Sequence, residues 1–447
     1  MPRGPERLRR KRKGQYLTPD ALAEQLMGWL AEDLADAGFP LDSLASGGVL
    51  DPACGDGVFL EHARARGWGP LSGVDIDGDV IGGPRGATLR VADALEAELG
   101  RHALVVGNPP YGRAVGAFVR RMLDGVAPDG ALGVLLPESF FVSRRDGEHR
   151  RALLAEARLV SVTSVYGRDF LRTGTRARTA FSVWWRRFGD PGSDPPVLLR
   201  QPRGEADHEL VATAGSGAFT RRVPVADLLD SGRWDPRYHD PSWEDPLRRC
   251  VLPVQPLGDF VDDLVYGALG RGERPTPHEG PGGLLYVGQK TITERGVDPE
   301  RCPRIVDARP FVQDRYRLCP GDLVVPRSGM GTLGKNLLTR WDGVPDGCDA
   351  EGAVVDCFDD RLALRGISSA WVLGVLRSEV GWSQIRRVIG GVATPNLSFR
   401  QIRALAMPVP PQSVQDAAED AWRSIRNGDA PFQVLRDLVN GASFDGR

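Results

Sequence analysis

Asn108-Pro109-Pro110-Tyr111 comes directly after the apolar run Ala103-Leu104-Val105-Val106 and Gly107. Neither proline can donate to a sheet ladder, so a strand running to Gly107 has to stop there. The four residues then form a rigid platform carrying an amide and an aromatic ring. Upstream, Asp51-Pro52-Ala53-Cys54-Gly55-Asp56-Gly57 lies between an apolar run and a helical stretch. Glycines at a strand-to-helix turn let a ligand approach the backbone, where the first amides of the helix can bind it. Asp75 lies 24 residues after Asp51 at the end of the next apolar run, and an acidic residue at about that distance commonly accepts hydrogen bonds from a ribose. Asp93 ends a third run. Alone, the glycine turn is weak, and Asn-Pro-Pro-Tyr reads as a turn with a core or rim aromatic. As a set, with Asn108 placed 57 residues after Asp51, they outline a nucleoside-shaped pocket beside the platform.

Those residues need a scaffold that delivers them together. Residues 47–51, 71–77, 87–93, 102–108, 130–140, 158–167 and 177–188 read as strands, with helical stretches at 57–67 and 117–127. Alternation of this kind predicts an α/β domain with a doubly wound, mostly parallel sheet covered on both faces. At 447 residues the chain suggests two domains. Proline, glycine and aspartate crowd residues 231–246 and put a boundary near residue 240, giving expected domains of 1–240 and 241–447. The second half predicts short strands at 284–289, 321–329 and 353–358, then helices at 368–389 and 412–427, a mixed α+β pattern.

Hydrophobic residues make up 41% and charged residues 26%, the composition of a globular protein, and no apolar run approaches the roughly 20 residues of a membrane helix. The basic start (Arg7, Arg9, Arg10, Lys11, Arg12, Lys13) leads into no apolar segment, so a cytoplasmic location is expected. Cys54, Cys250, Cys302, Cys319, Cys348 and Cys357 show no C-x-x-C pair and no zinc-like spacing with histidine, so buried thiols and no metal are expected. A net charge of −2 argues neither for nor against nucleic acid.

Taken in order, the glycine loop, the acidic strand ends and Asn-Pro-Pro-Tyr resemble the class I, Rossmann-like amino-methyltransferases that use S-adenosylmethionine. Gly14-Gln15-Tyr16-Leu17-Thr18-Pro19 resembles the cofactor motif that precedes the loop in γ-class DNA adenine N6-methyltransferases. The resemblance implies that Thr18 and Pro19 lie at the cofactor, that Asp51, Pro52, Ala53, Cys54 and Gly55 line its methionine part, and that Asp75 holds the ribose. It also implies that Asp93 accepts from the adenine amine, with Ile76 and Pro110 against the ring. In that family the Asn108 amide oxygen and the Pro109 carbonyl would accept both N–H groups of a substrate adenine amine. The nitrogen then recovers its delocalised lone pair and attacks the sulfonium methyl. Tyr111 would stack on the base, which must first leave the duplex. A second stacking ring is expected among Phe181, Trp184 and Trp185, with Trp185 favoured by alignment with the family. The link at 112–116 is shorter than in many relatives.

Residues beyond about 245 resemble the target-recognition domains of type I restriction specificity subunits, with RWDPRYH, LLYVGQKTI, GDLVVPRSGMGTLG and residues 390–411 carrying the likeness. Expected DNA contacts are Lys290, Arg327, Ser328, Lys335, Arg386 and Arg387. The reading that results is a site-specific DNA adenine N6-methyltransferase of a restriction-modification or related defence system, with double-stranded DNA as partner and any cleavage supplied by a separate restriction endonuclease. Two alternatives stay open. One is an Asn-Pro-Pro-Tyr methyltransferase acting on protein glutamine or RNA guanine; the other is a non-catalytic DNA-specificity subunit. Monomer and dimer are both compatible with the sequence.

Overall fold

The computed structural model describes residues 17–112, 114–165, 178–187, 194–202, 218–267, 275–306, 314–327, 338–389 and 397–444. These fall into two compact units, divided between Asp240 and Pro241.

The first unit is built on one nine-stranded sheet. Strands β1 (Val49–Asp51), β2 (Leu71–Asp75), β3 (Thr88–Val91), β4 (His102–Gly107) and β5 (Val126–Pro137) are parallel. β6 (Arg158–Val165) runs the same way, whereas β7 (Thr179–Trp185) lies between β5 and β6 and is antiparallel to both. β8 (Val197–Gln201) is parallel to β6, and β9 (Phe219–Val223) closes the sheet antiparallel to β8. The strand order is β3-β2-β1-β4-β5-β7-β6-β8-β9. The unit is thus the doubly wound α/β fold that the alternating pattern predicts, with two strands reversed.

Both faces of the central strands are buried, for a reason legible in their unbroken apolar runs: successive strand side chains point to opposite faces. Val49, Leu104, Val106, Leu135, Phe181 and Val183 enter a core with Leu26 and Leu30 of α1 (Asp20–Asp36) and Phe59 of α2 (Val58–Ala65). Their neighbours Leu50, Val105, Leu132, Val134 and Trp184 enter the opposite core, with Val119 and Met122 of α3 (Val115–Asp124). α4 (Glu138–Val142) succeeds β5 and adds Phe140 and Phe141 to that core. α1 packs close to the sheet because Gly133 has no side chain; a Cβ there would stand 2.2 Å from Leu30 Cδ1.

The second unit is mixed α+β. A four-stranded sheet places Val261–Tyr266, Asp359–Leu364, Leu323–Pro326 and Thr339–Arg340 side by side in that order. A three-stranded one places Arg304–Ile305 beside Leu284–Val287 and then Gly352–Val355. The long helix expected over 368–389 is two helices, α5 (Ser369–Arg377) and α6 (Glu379–Val388). Ser378 between them is extended, at φ −81° and ψ 176°, and its hydroxyl donates to Val375 O at 2.7 Å. Gly381 lets α6 fold back on the end of α5, since a Cβ there would meet Val375 O at 2.3 Å. The apolar pattern runs through this break, so periodicity alone joins the two. α7 (Gln412–Asn427) matches the second expected helix, and α8 (Gln433–Ser443) comes after it. Among the described residues no helix is long and apolar enough to cross a membrane.

One buried ion pair links layers of the first unit. Asp33 of α1 accepts from Ser161 Oγ of β6 at 2.6 Å and pairs with Arg200 of β8 at 2.5 Å. Breaking such a pair strands a buried charge, so Asp33→Ala is expected to lower unfolding free energy by about 3–5 kcal/mol, measured by urea denaturation of the full chain.

Candidate active site

β1 ends at Asp51, and the next six residues turn the chain into α2. The turn needs glycine twice. Gly55 has φ +52° and Gly57, which caps α2, has φ +83°. A Cβ on Gly57 would also stand 2.4 Å from Gly82 O. The loop is pinned by its own amides: Cys54 N donates to Val74 O at 3.0 Å, Gly57 N to Cys54 O at 2.7 Å, and Gly82 N to Gly55 O at 2.7 Å.

Asp75 is the second anchor. Its Oδ2 accepts from Gly55 N at 2.9 Å and its Oδ1 from Asp77 N at 2.8 Å. The residue expected to hold a ribose therefore also braces the glycine loop against β2. Each oxygen has a second lone pair with which to accept from a ligand. Beside it Ile76 stands 63% exposed, an apolar side chain held in solvent next to a polar loop. Asp93, half-buried, uses Oδ1 to accept from Leu95 N at 2.9 Å. Pro52 is buried, Ala53 half-buried and Pro110 exposed.

Asp51 is fully buried. Its Oδ1 accepts from Ala53 N at 3.0 Å, while Oδ2 is buried with no hydrogen-bond partner among the described residues. Burial, reinforced by the charges of Asp75 and Asp56, pushes its pKa up to about 8. Gly107 makes the space for this carboxyl, because a Cβ there would meet Asp51 Oδ1 at 2.6 Å. Sequence reading assigned Gly107 no role; the glycine between Val106 and Asn108 was the available signal. Cys54 is buried, and desolvation together with Asp51 and Asp75 raises its thiol pKa, so it cannot act as a thiolate nucleophile.

Asn108 leaves β4 on the neighbouring strand. Its Nδ2 donates to Thr18 Oγ1 at 3.2 Å, bringing together residues 90 apart in sequence. Thr18 is buried, and Pro19 caps α1 with extended geometry. Pro109 is buried and Tyr111 half-buried. Glycine loop, Asp75 and Asn-Pro-Pro-Tyr all sit at the C-terminal edge of parallel strands, where open α/β sheets bind ligands.

Trp185 does not belong to this edge. Thr179, the first residue of β7, pairs with Pro137, whereas Trp185 pairs with Ala131, which in turn pairs with Leu104. Leu104 lies three residues before Gly107, so Trp185 sits about 10 Å back along the strands. Its Nε1 donates to Asp129 O at 3.2 Å, and its ring meets Phe39 edge-on. Phe181 and Trp184 are core residues. The antiparallel reversal of β7 produces this outcome, since alignment along a strand does not reveal which end faces the pocket.

In the second unit one expected DNA contact is buried and two others have partners within the unit. Arg386 is buried, its guanidinium over the rings of Trp243 and Trp382 at 4.9 and 5.5 Å. Arg387 pairs with Glu244 at 3.5 Å. Arg327 stacks on Tyr266 at 4.3 Å and donates to Cys357 O at 2.7 Å. Arg386 is thus a packing residue. Lys290 is exposed, and Ser328 and Lys335 lie outside the described residues. Among the described residues no group of His, Cys, Asp or Glu is arranged to hold a metal.

No family model matches the chain. Over 102 residues the chain is 40% identical to the type II methyltransferase M.TthHB8I of Thermus thermophilus, a match covering 22% of this chain and 21% of that one. Over 100 residues it is 26% identical to the type II methyltransferase M.HincII of Haemophilus influenzae, covering 22% and 17%. The chain thus spans about a fifth of the length of the curated relatives it matches. Among solved structures, the type IIL restriction-modification enzyme MmeI in complex with DNA superposes with a TM-score of 0.52 over 98% of this chain and 77% of that one, at 11% identity, a likeness of fold. The chain therefore shares its fold with that enzyme, and part of its sequence is similar to type II methyltransferases.

The state of Asp51 has a measurable sign. Its folded pKa of about 8 lies above the ordinary 3.8, so its contribution to stability is complete below pH 3.8, declines as pH rises and is gone above 8. Urea midpoints of the protein are expected to fall between pH 5.5 and 8, and Asp51→Asn to flatten that slope. Equal slopes in both proteins would contradict a neutral Asp51.

Proposed function

We propose that the protein is a site-specific DNA adenine N6-methyltransferase that takes its methyl group from S-adenosylmethionine. The carrying observation is the Asn108–Thr18 hydrogen bond. With Nδ2 committed to Thr18, the amide meets a substrate through its oxygen, an acceptor, as an exocyclic amine requires. Similarity to named type II methyltransferases supports DNA as the substrate class.

The residues present fit the cofactor. Gly55 and Gly57 take the positive φ that turns the loop into α2, whose N-terminal end would suit an anionic carboxylate. Two carboxyls, Asp51 and Asp75, lie on the side where a cationic ligand would sit, and Asp75 would hold the ribose. The exposed Ile76 would cover one face of the adenine, with Pro110 opposite and Asp93 at its amine. Thr18 and Pro19 close the site from α1, and Pro52, Ala53 and Cys54 line it through their backbone. When bound, S-adenosylmethionine supplies an electrophilic methyl group.

The chain's own part is to make an aromatic amine nucleophilic. Asn108 Oδ1 and the Pro109 carbonyl accept its two N–H groups and favour a pyramidal nitrogen with a recovered lone pair. Attack on that methyl group would leave the nitrogen acidic, and the Asn108 and Pro109 oxygens would hold its proton on the way to water. Proline geometry fixes the carbonyl, so little reorganisation accompanies the step. Tyr111 stacks on the extruded base. A second ring is needed from the same edge, where β6 ends at Val165 opposite Thr179. The sequence between these strand ends holds two aromatic residues, Tyr166 and Phe170, which lie outside the described residues. A second unit beyond the chemistry suits target recognition, and a separate endonuclease would supply cleavage.

The test is incubation of the full chain with labelled S-adenosylmethionine and separate pools of DNA, RNA and cell protein. N6-methyladenine in DNA is expected, with Asn108→Ala lowering kcat by about 10²–10³-fold while cofactor affinity is retained. Label in RNA or protein alone would replace DNA as substrate. Base stacking is worth about 1–3 kcal/mol, so Tyr111→Ala is expected to dim the fluorescence of 2-aminopurine placed at the target position.

A further inference from the structure

A cavity of about 610 Å³ in the second unit takes no part in the chemistry above. Three segments wall it: the hairpin of Ile292–Thr293 and Gly296–Val297, the turn after the strand Thr339–Arg340, and the C-terminal end of α7. Small-molecule sites usually enclose about 300–1,000 Å³, so the size suits one. The walls are braced. Thr293 Oγ1 donates to Gly296 O at 2.8 Å and accepts from Arg295 N at 3.2 Å, which fixes the hairpin tip. Trp341, 3% exposed, is held through its backbone by Gly321 N and Asp322 O, and Trp422 of α7 donates to Asp342 Oδ2 at 2.8 Å.

Three carboxylates line the cavity, and each already has a guanidinium. Asp342 pairs with Arg340 at 3.0 Å, Asp298 with Arg301 at 3.0 Å, and Glu294 with Arg377 at 3.0 Å and Arg436 at 3.9 Å. Arg340 has a second carboxylate in Glu419. One carboxylate shared by two arginines and one arginine shared by two carboxylates cancel. Arg295 and Arg426 line the same cavity, are exposed, and have no ion pair among the described residues. These two are the surplus of the group. Their simplest structural use is the end of α7, since Gly428 closes that helix at φ +90° and a Cβ on it would stand 3.2 Å from Arg295 Nη1. A helix C-terminus carries only about half a negative charge, however, and two guanidiniums exceed it by more than one unit.

The remainder is available to an anion, and planar guanidiniums suit the oxygens of a phosphate. The lining carboxylates limit what carries that phosphate. Glu294, Asp298 and Asp342 would repel the successive charges of a nucleic acid backbone, yet their spare lone pairs can accept from hydroxyl groups. Val297, Pro299 and Pro345 add apolar cover. We propose that this cavity is a ligand site in its own right, which takes a phosphorylated sugar, free or as part of a mononucleotide. Arg295 and Arg426 hold the phosphate, and the wall carboxylates accept from the sugar hydroxyls. The site does not depend on the chemistry proposed at Asn108. Its occupant joins the hairpin to α7 and so stabilises the second unit by mass action.

Uridine 5′-monophosphate and ribose 5-phosphate would be titrated into the full chain by calorimetry at low salt; uracil keeps this site distinct from an adenosine pocket at the glycine loop. Both compounds are expected to bind, about 10-fold more weakly in Arg295→Gln and in Arg426→Gln. Uridine, which lacks the phosphate, should not bind. Both arginines are exposed, so the variants should keep the parent's urea midpoint without ligand, and uridine 5′-monophosphate should raise that midpoint more in the parent than in either variant. Tighter binding of the nucleotide than of the sugar phosphate would place the base on the apolar wall, and equal binding would make the sugar phosphate the whole ligand. No binding of either compound up to about 10 mM, equal affinity in parent and variants, or uridine binding as tightly as its phosphate would each overturn the site. So would duplex DNA that loses affinity in both variants and is not displaced by uridine 5′-monophosphate, because the cavity wall would then be a backbone contact.

Discussion

The carboxylate of Asp75 holds the candidate site together. By accepting from Gly55 N and Asp77 N it ties the glycine loop to the end of the next strand, and the positive φ of Gly55 and Gly57 is tolerable only because those positions lack a side chain. Everything at that edge depends on the brace. The loop fixes the start of α2, and the loop's first residue, Asp51, presses against Gly107 at the base of the Asn108 platform. One strand-end acid thus sets the spacing between the glycine loop and the Asn108 platform.

A second constraint is electrical. Asp51, Asp75 and Asp56 crowd one end of the sheet, and burial raises the pKa of Asp51. A site that collects carboxyls in low dielectric is costly in the absence of a cation, and the same cost becomes binding energy when a cationic group arrives.

In the second unit several arginines have structural employment. Arg386 lies between two tryptophans, Arg327 on Tyr266, and Arg361 pairs with Asp322 at 2.6 Å. Tyr266 in turn stacks on Phe399 with ring centroids 4.0 Å apart. A guanidinium is planar and weakly hydrated, so it packs against rings where an ammonium would not. Counting basic residues in sequence therefore overstates how many stand free at the surface.

The sequence by itself determined the order of the strands' chemistry. Apolar runs long enough to be buried on both faces, glycines where only positive φ serves, and prolines that end β4 are local demands, written residue by residue. The expected positions of Asp51, Asp75 and Asn108 at strand ends come directly from them. Tertiary structure decided what depends on direction and neighbourhood. The reversal of β7 carried Trp185 to the far edge, and the extended Ser378 with the close approach at Gly381 split one apolar pattern into two helices. Fold-back brought Thr18 to Asn108 across 90 residues and set Arg178, Glu138 and Arg237 side by side. Periodicity records which face of an element is buried; it holds no record of which end meets which partner, and burial by a neighbour from another element is what turns an arginine from a contact into a filler.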